Sequence, residues 1–355
     1  DGVLWETSSH SHGLTPHEGF NLEEEVVKRV HLTIAISDYD HVRDFTRGRV
    51  EAQGIEITHI DLPVEEIFSR FTRFREWDVS EMSMARYVAL ISQGDPDLTA
   101  IPVFPSRLFR QSAIFVASSR PIEAPRELAG KRVGIPAWVQ SAVVYVRAYL
   151  MHQVGIPLTD IEWFQAGVNM AGRGDEVAPK LPAGVRYTPV PERSLTAMLL
   201  AGEVDAIITA RPPRLFEEGD PRIRRLFPDF RAVEEAYWRE TGIFPIMHTV
   251  ALRRDVVERY PWVPTNLFKA FEEAKRRSLT RTLDGNICRF PIPWCFAYAE
   301  KSRAMFGEDF WPYGVEANRT TLGAFLAYAY EQGVASREVS LEELYPDAVQ
   351  SLHQV

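Results

Sequence analysis

One histidine, His248, stands in the middle of the run TGIFPIMHTVALRRD (241–255), where Ile, Phe, Met, Val and Leu otherwise read as a buried strand. An unperturbed imidazole near pKa 6.5 can give or take a proton at neutral pH, so a histidine carried to a cleft by such a strand can act as general acid or base. The other reading is a core histidine with one satisfied hydrogen bond. A second group, SDYDH (37–41), directly follows an apolar strand. Asp38 and Asp40 can orient a histidine or accept a proton, His41 is a second imidazole, and Tyr39 joins them as a ligand-contact candidate. One of the two aspartates is expected only to cap the helix that starts near His41.

Anion-binding candidates follow other strands. Arg211 comes immediately after VDAIITA (204–210) and before Pro212 and Pro213, a strand end held by a rigid turn, which suits carboxylate capture; the alternative is an ion pair on the lobe surface. Arg107 stands similarly after LTAIPVF (98–104), with Ser106 as a neutral donor. In GIPAWVQSA (134–142) a glycine-containing turn precedes a helix, so free N–H groups near Trp138 and Ser141 can hold an anionic group. Trp138 can stack on an aromatic ring or serve as a packing anchor. In EMSM (81–84) Ser83 is the expected contributor, while Glu81 reads equally as an ordinary partner for a nearby arginine.

The elements that must position these residues alternate. HLTIAIS (31–37), IEITHIDL (55–62), the short WDVSEMSM (77–84) and LTAIPVF read as strands. The segments 40–50, 63–76 and 85–94 read as helices, the second with Pro in its first turn and the third ended by Gly94. SAIFVASS (112–119) is a further strand. A second unit of the same kind begins near residue 128, with a strand over 131–136, a helix over 140–153 ending at Gly155, strands in 160–167, 186–190 and 204–210, and a helix at 194–203. A long amphipathic helix covers 262–279. Alternating strands and helices imply a mixed, mostly parallel sheet flanked by helices in each of two lobes. The chain is expected to build lobe 1 over 30–118, lobe 2 over 119–246, and return to lobe 1 over 247–355. The crossings fall near Ser118 and in 242–248, and the ligand lies between the lobes at the strand carboxyl ends. Residues 1–29 read as an N-terminal arm in which His10, His12 and His17 belong to a solvated tail.

Composition narrows the function. At 355 residues, with 45% hydrophobic content, the chain can fill two cores. A formal net charge of −9 and the lack of a basic, aromatic-interleaved run argue against nucleic acid. Cys288 and Cys295 lack zinc spacing and give no disulfide framework, which suits a reducing cytoplasm. No stretch has the ~18 consecutive apolar residues of a membrane span, and residues 1–29 lack a leader pattern. Expected is a soluble, cytoplasmic protein with a small-molecule partner, and with subunit number, including a homo-oligomer, left open. The charge runs RGRVEAQG, RRDVVER and AKRRSLTR read as solvated helix faces. Gly172 and Gly174 lack the flanking strand and helix of a phosphate loop. Glu65 and Glu66 open a helix where its dipole favours acids.

The crossing pattern is similar to the type II periplasmic-binding-protein fold. Within it, six segments resemble, as a set, the 4,5-dihydroxyphthalate decarboxylase family: SDYDHVRDFTRGRVEAQGIEI, LPVEEIFSRFTRFREWDVSEMSMARYV, AIPVFPSRLFRQSAIFV, LAGKRVGIPAWVQSAVVYVRAYL, AGEVDAIITARPP and TGIFPIMHTVALRRDVVERYPWV. The resemblance spans roughly residues 31–335. It implies metal-independent, non-oxidative decarboxylation of a dihydroxylated aromatic dicarboxylate to protocatechuate and carbon dioxide, with no cofactor. Such chemistry needs a proton donor at the ring carbon bearing the leaving carboxylate, a base near the hydroxyls, and a cation for the retained carboxylate. His248 is the leading acid or base, supported by Asp38, Asp40 and His41. Arg211, Arg107, Ser83, Ser106, Trp138, Ser141 and Tyr39 are the expected substrate contacts. A catechol chelating a metal held by Asp40, His41 and His248 is the disfavoured variant. The alternative function is a non-catalytic solute-binding protein for a small carboxylate or aromatic acid.

Overall fold

The computed structural model describes residues 29–350 except Arg173, Asp175 and Cys288, together with Gly2. Apart from Gly2 and Arg29, the expected arm and its three histidines lie outside the described residues.

Short runs of β-branched and aliphatic residues between turns form the strands, in chain order β1 (Val30–Ala35), β2 (Ile55–Ile60), β3 (Val79–Ser83), β4 (Leu98–Ile101), β5 (Ile114–Ala117), β6 (Arg132–Ile135), β7 (Glu162–Gly167), β8 (Arg186–Ser194), β9 (Ala206–Ile208), β10 (Ile223–Arg225) and β11 (His248–Arg253). They make two sheets, one ordered β2-β1-β3-β11-β4 and the other β10-β5-β9-β6-β7-β8. Both are mixed. In the first, β1 runs parallel to β2 and β3, while β11 enters antiparallel between β3 and β4.

Strand β5, expected with the first lobe, pairs instead with β9 and β10 of the second sheet, Phe115 facing Ile207. The chain therefore leaves the first sheet after Ile101 and has joined the second by Ile114, earlier than the crossing expected near Ser118. The apolar run of β5 suits either core equally, so its pattern alone does not assign the sheet. The return passes through 243–247, after Gly242 turns the chain with φ 64°.

The helices follow the same logic. The first three are α1 (Asp40–Thr46), α2 (Val64–Phe74) and α3 (Met84–Ser92); α4 (Ser141–Tyr149) continues as one π turn to Gly155. Next come α5 (Leu195–Ala201), the short α6 (Arg214–Glu217) and α7 (Phe230–Thr241), then α8 (Arg254–Arg259) and α9 (Val263–Thr282). In α2 the acids Glu65 and Glu66 occupy the first turn, and Ile67, Phe68 and Phe71 form the buried face. A C-terminal helix, Arg319–Glu331, packs on both α3 and α4.

One apolar core runs from Ile34 and Val79 under the first sheet to Val133, Trp138 and Trp163 under the second. Full burial of each large aliphatic or aromatic side chain contributes about 1.5–3 kcal/mol. Polar groups fasten the junction: Ser141 at the start of α4 bonds Ser83, and the Ile246 N–H donates to Tyr145 Oη at 3.1 Å. Among the described residues no helix is long and apolar enough to cross a membrane.

Candidate active site

The antiparallel entry of β11 creates the site. It sets His248 opposite Ser83 and Val250 opposite Glu81, so the side chains of His248 and Glu81 are diagonal neighbours on one sheet face. At this spacing two long side chains can meet, and Nδ1 of His248 lies 2.6 Å from Oε1 of Glu81. Glu81 is 1% exposed. A carboxylate so deeply buried must be saturated with donors, and it is. The Tyr39 hydroxyl donates to Oε1 at 2.6 Å, and the Ser37 N–H donates to Oε2 at 3.1 Å.

Burial by itself would push the Glu81 carboxyl up. The His248 hydrogen bond and charge, with the Tyr39 and Ser37 bonds, outweigh it and hold Glu81 below the usual carboxylate range. Tyr39 moves the other way: burial and the adjacent Glu81 charge raise its phenol well above the ordinary tyrosine value, so it stays a donor. An ionised Glu81 fixes His248 with Nδ1–H toward the carboxylate. Among the described residues nothing bonds its Nε2, which is left as the working nitrogen. Phe68 from α2 stands edge-on to the imidazole, ring centroids 4.8 Å apart, and limits its rotation.

Other sequence-selected residues cluster around this pair. The Ser141 hydroxyl donates to Met247 O at 2.9 Å and accepts from the Ala85 N–H at 3.0 Å, with Ser83 Oγ at 3.0 Å. Ser106 O accepts the Met247 and His248 N–H groups at 2.9 and 3.3 Å. These serines thus hold the backbone on which His248 is mounted.

The remaining candidates are drawn elsewhere. Asp38 accepts from Arg43 and Arg47, and Asp40 accepts from Ser278 and Arg281; neither orients His248. His41 donates from Nε2 to Pro105 O at 3.0 Å, and burial lowers its imidazole to about 4, a neutral residue at physiological pH. Arg107 is 3% exposed, with its guanidinium on the carbonyls of Pro312 and Phe244 and over the Phe244 ring. Arg211 pairs with Glu65. Trp138 is fully buried, donates to Gln332 O and packs against Trp163, Tyr187 and Arg147, so it is a packing anchor with no face for a ligand. Asp40, His41 and His248 have separate partners, and among the described residues no group of three His, Cys, Asp or Glu is placed to hold a metal.

The sequence left Glu81 evenly balanced with an ordinary arginine partner and outside the candidate site, and it gave no role to Phe68. The available signal was a carboxylate inside a short strand with apolar neighbours, which must acquire a specific partner if buried.

No family model matches the chain. A 4,5-dihydroxyphthalate decarboxylase of Comamonas testosteroni is 34% identical over 323 residues, covering 91% of this chain and 98% of that protein. Another, from Pseudomonas putida, is 34% identical over 218 residues, 61% of this chain and 84% of that protein. Among solved structures, a periplasmic sulfonate-binding protein of Methylobacillus flagellatus matches with a TM-score of 0.52 at 14% identity, covering 90% of this chain and 92% of that one. That likeness speaks to the fold, which is the periplasmic-binding-protein fold with two sheets. With a relative of this identity matched over nearly its full length, the chain belongs to the 4,5-dihydroxyphthalate decarboxylase family.

Proposed function

We propose that this chain is a carboxy-lyase that converts 4,5-dihydroxyphthalate to protocatechuate and carbon dioxide, with His248 as its acid–base residue. The observation that carries the site assignment is the Glu81–His248 pair, a buried carboxylate on Nδ1 and an open Nε2. In 4,5-dihydroxyphthalate each carboxylate-bearing carbon has a hydroxyl para to it. As that hydroxyl gives up its proton to solvent water, its electrons add to the ring and the carbon takes a proton from His248 Nε2–H. The C–C bond then breaks, its electron pair restores the aromatic ring, carbon dioxide leaves, and the oxygen and His248 each regain a proton from solvent. Glu81 stabilises the imidazolium form and holds the ring of His248 in place. Tyr39 is a positioning residue, since it acts on Glu81.

The test is to incubate the purified protein with 4,5-dihydroxyphthalate and follow carbon dioxide and protocatechuate together. Equal release of the two is expected, abolished in His248→Ala with the fold intact. Tight reversible binding of the acid with no turnover would make the chain a solute-binding protein instead. Near wild-type activity in His248→Ala would return that histidine to a packing role.

A further inference from the structure

Both arginines expected to hold a carboxylate have protein partners, Arg107 on the carbonyls of Pro312 and Phe244 and Arg211 on Glu65 at the surface. A third arginine is differently placed. Arg110 lies in the segment that connects the two sheets, just before the single turn Gln111–Ala113. Its Nε points to Met247 Sδ at 3.1 Å and its Nη1 donates to Ala210 O at 3.3 Å. The guanidinium is thereby held between the residue preceding His248 and the chain just beyond β9.

No carboxylate comes within ion-pair distance of Arg110 among the described residues. Burial lowers its guanidinium to about 10, with Glu234 of α7 the one charge acting in the opposite direction. Glu234 is itself engaged, accepting the Ser112 N–H at 3.0 Å. Among the described residues the Nη2 of Arg110 makes no hydrogen bond, and it is not one of the solvent-sealed atoms. The guanidinium is thus partly buried, has no carboxylate partner among the described residues, and keeps one donor edge free of protein acceptors. Guanidinium geometry matches a carboxylate through two parallel N–H bonds.

We propose that Arg110 is the residue that grips the carboxylate the substrate retains. This assignment rests on the decarboxylase reading above. The two carboxylates of the substrate are ortho to one another, so the anchor and the acid–base residue must serve one site, and Arg110 bonds the side chain of Met247 in the segment that leads into His248.

The test uses binding rather than turnover, with protocatechuate, which carries the retained carboxylate, and catechol, which carries none. Affinities are measured by calorimetry on the wild type, Arg110→Gln and Arg110→Lys. Arg110→Gln is expected to weaken protocatechuate on the order of thirty-fold or more while changing catechol less than about twofold. Arg110→Lys keeps the charge but loses the fork, and is expected to weaken protocatechuate about tenfold with catechol again unchanged. The lysine variant carries the test if the glutamine variant does not fold. Equal losses for the two ligands, no loss for protocatechuate, or no protocatechuate binding by the wild type would each overturn the assignment. Carbon dioxide release is scored separately. A wild type that binds the acid through Arg110 without turnover supports the anchor and removes the decarboxylase reading.

Discussion

Glu81 and His248 meet diagonally across β3 and β11, Oε1 to Nδ1 at 2.6 Å, with the Glu81 side chain entirely enclosed. Glu81→Gln keeps the shape and removes the charge, and the amide can present its N–H instead of an acceptor to Nδ1. The expected result is a fall in kcat on the order of 10²–10⁴, by analogy with loss of the orienting carboxylate in other His–carboxylate pairs. KM for 4,5-dihydroxyphthalate is expected to change less than about threefold, because the enclosed Glu81 carboxylate is already taken by His248, Tyr39 and Ser37. Steady-state kinetics beside a thermal melt checks this. A parallel loss in kcat and melting temperature, with KM rising equally, would make Glu81 a structural residue only.

His41 gives the fold a pH dependence that is independent of catalysis. In the folded chain burial keeps its imidazole neutral down to about pH 4, while in the unfolded chain it takes up a proton near 6.5. Between these values the unfolded state binds more protons, so acidification favours unfolding; above 6.5 the contribution is complete. The size is on the order of 2–3 kcal/mol across the window. His41→Gln should be less stable at pH 7, having lost the bond to Pro105, yet its stability should fall less steeply from pH 6.5 to 4. Urea unfolding of both proteins at several pH values measures the two slopes, and parallel slopes would refute the assignment.

Ser141 is saturated: one hydroxyl donates to Met247 O and receives bonds from the Ala85 N–H and Ser83. Ser141→Ala leaves the buried Ala85 N–H without its partner, while Met247 O keeps the Met84 N–H, and is expected to cost about 1–3 kcal/mol. Ser83→Ala removes only the hydroxyl contact with Ser141 and should cost about 1 kcal/mol or less. Denaturant midpoints at constant m value measure both. Equal losses would mean that the junction depends on the hydroxyl pair rather than on the backbone groups that Ser141 satisfies.

Much of this architecture is legible in the chain. Apolar runs such as those of β1 and β6 and the amphipathic face of α2 announce strands and helices through local periodicity, and their alternation implies two α/β units. What periodicity cannot announce is which strands pair. Glu81 and His248 are 167 positions apart, and their meeting depends on β11 entering antiparallel beside β3. The same gap in local information put β5 with the wrong sheet. The SDYDH turn lies beside the Glu81–His248 pair, and burial and ion pairing sort its members: Tyr39 faces Glu81, whereas Asp38 goes to the arginines of its own helix region. Strand β10 and helix α7 up to Glu240 fall in a stretch, 211–240, for which the sequence reading named no element.

Arg211 and Glu65 connect the two sheets' units at the surface, Nη2 to Oε1 at 2.7 Å, with side chains 67% and 42% exposed. Glu176, in the segment between β7 and β8, makes a comparable link to Arg86 of α3 at 2.9 Å. An ion pair as exposed as Arg211–Glu65 is screened by water and salt and contributes about 0–1 kcal/mol. Its arginine also has a partner already, so it gains little by turning to the substrate. Arg211→Ala is therefore expected to change stability by less than about 1 kcal/mol and KM for 4,5-dihydroxyphthalate by less than about threefold. The stability difference should shrink as salt is raised, since the pair is what the substitution removes. Kinetics and melting curves at low and high ionic strength measure both. A tenfold or larger rise in KM would mean that Arg211 releases Glu65 and takes the substrate carboxylate, and would place the anchor on the β9 side of the junction rather than at Arg110.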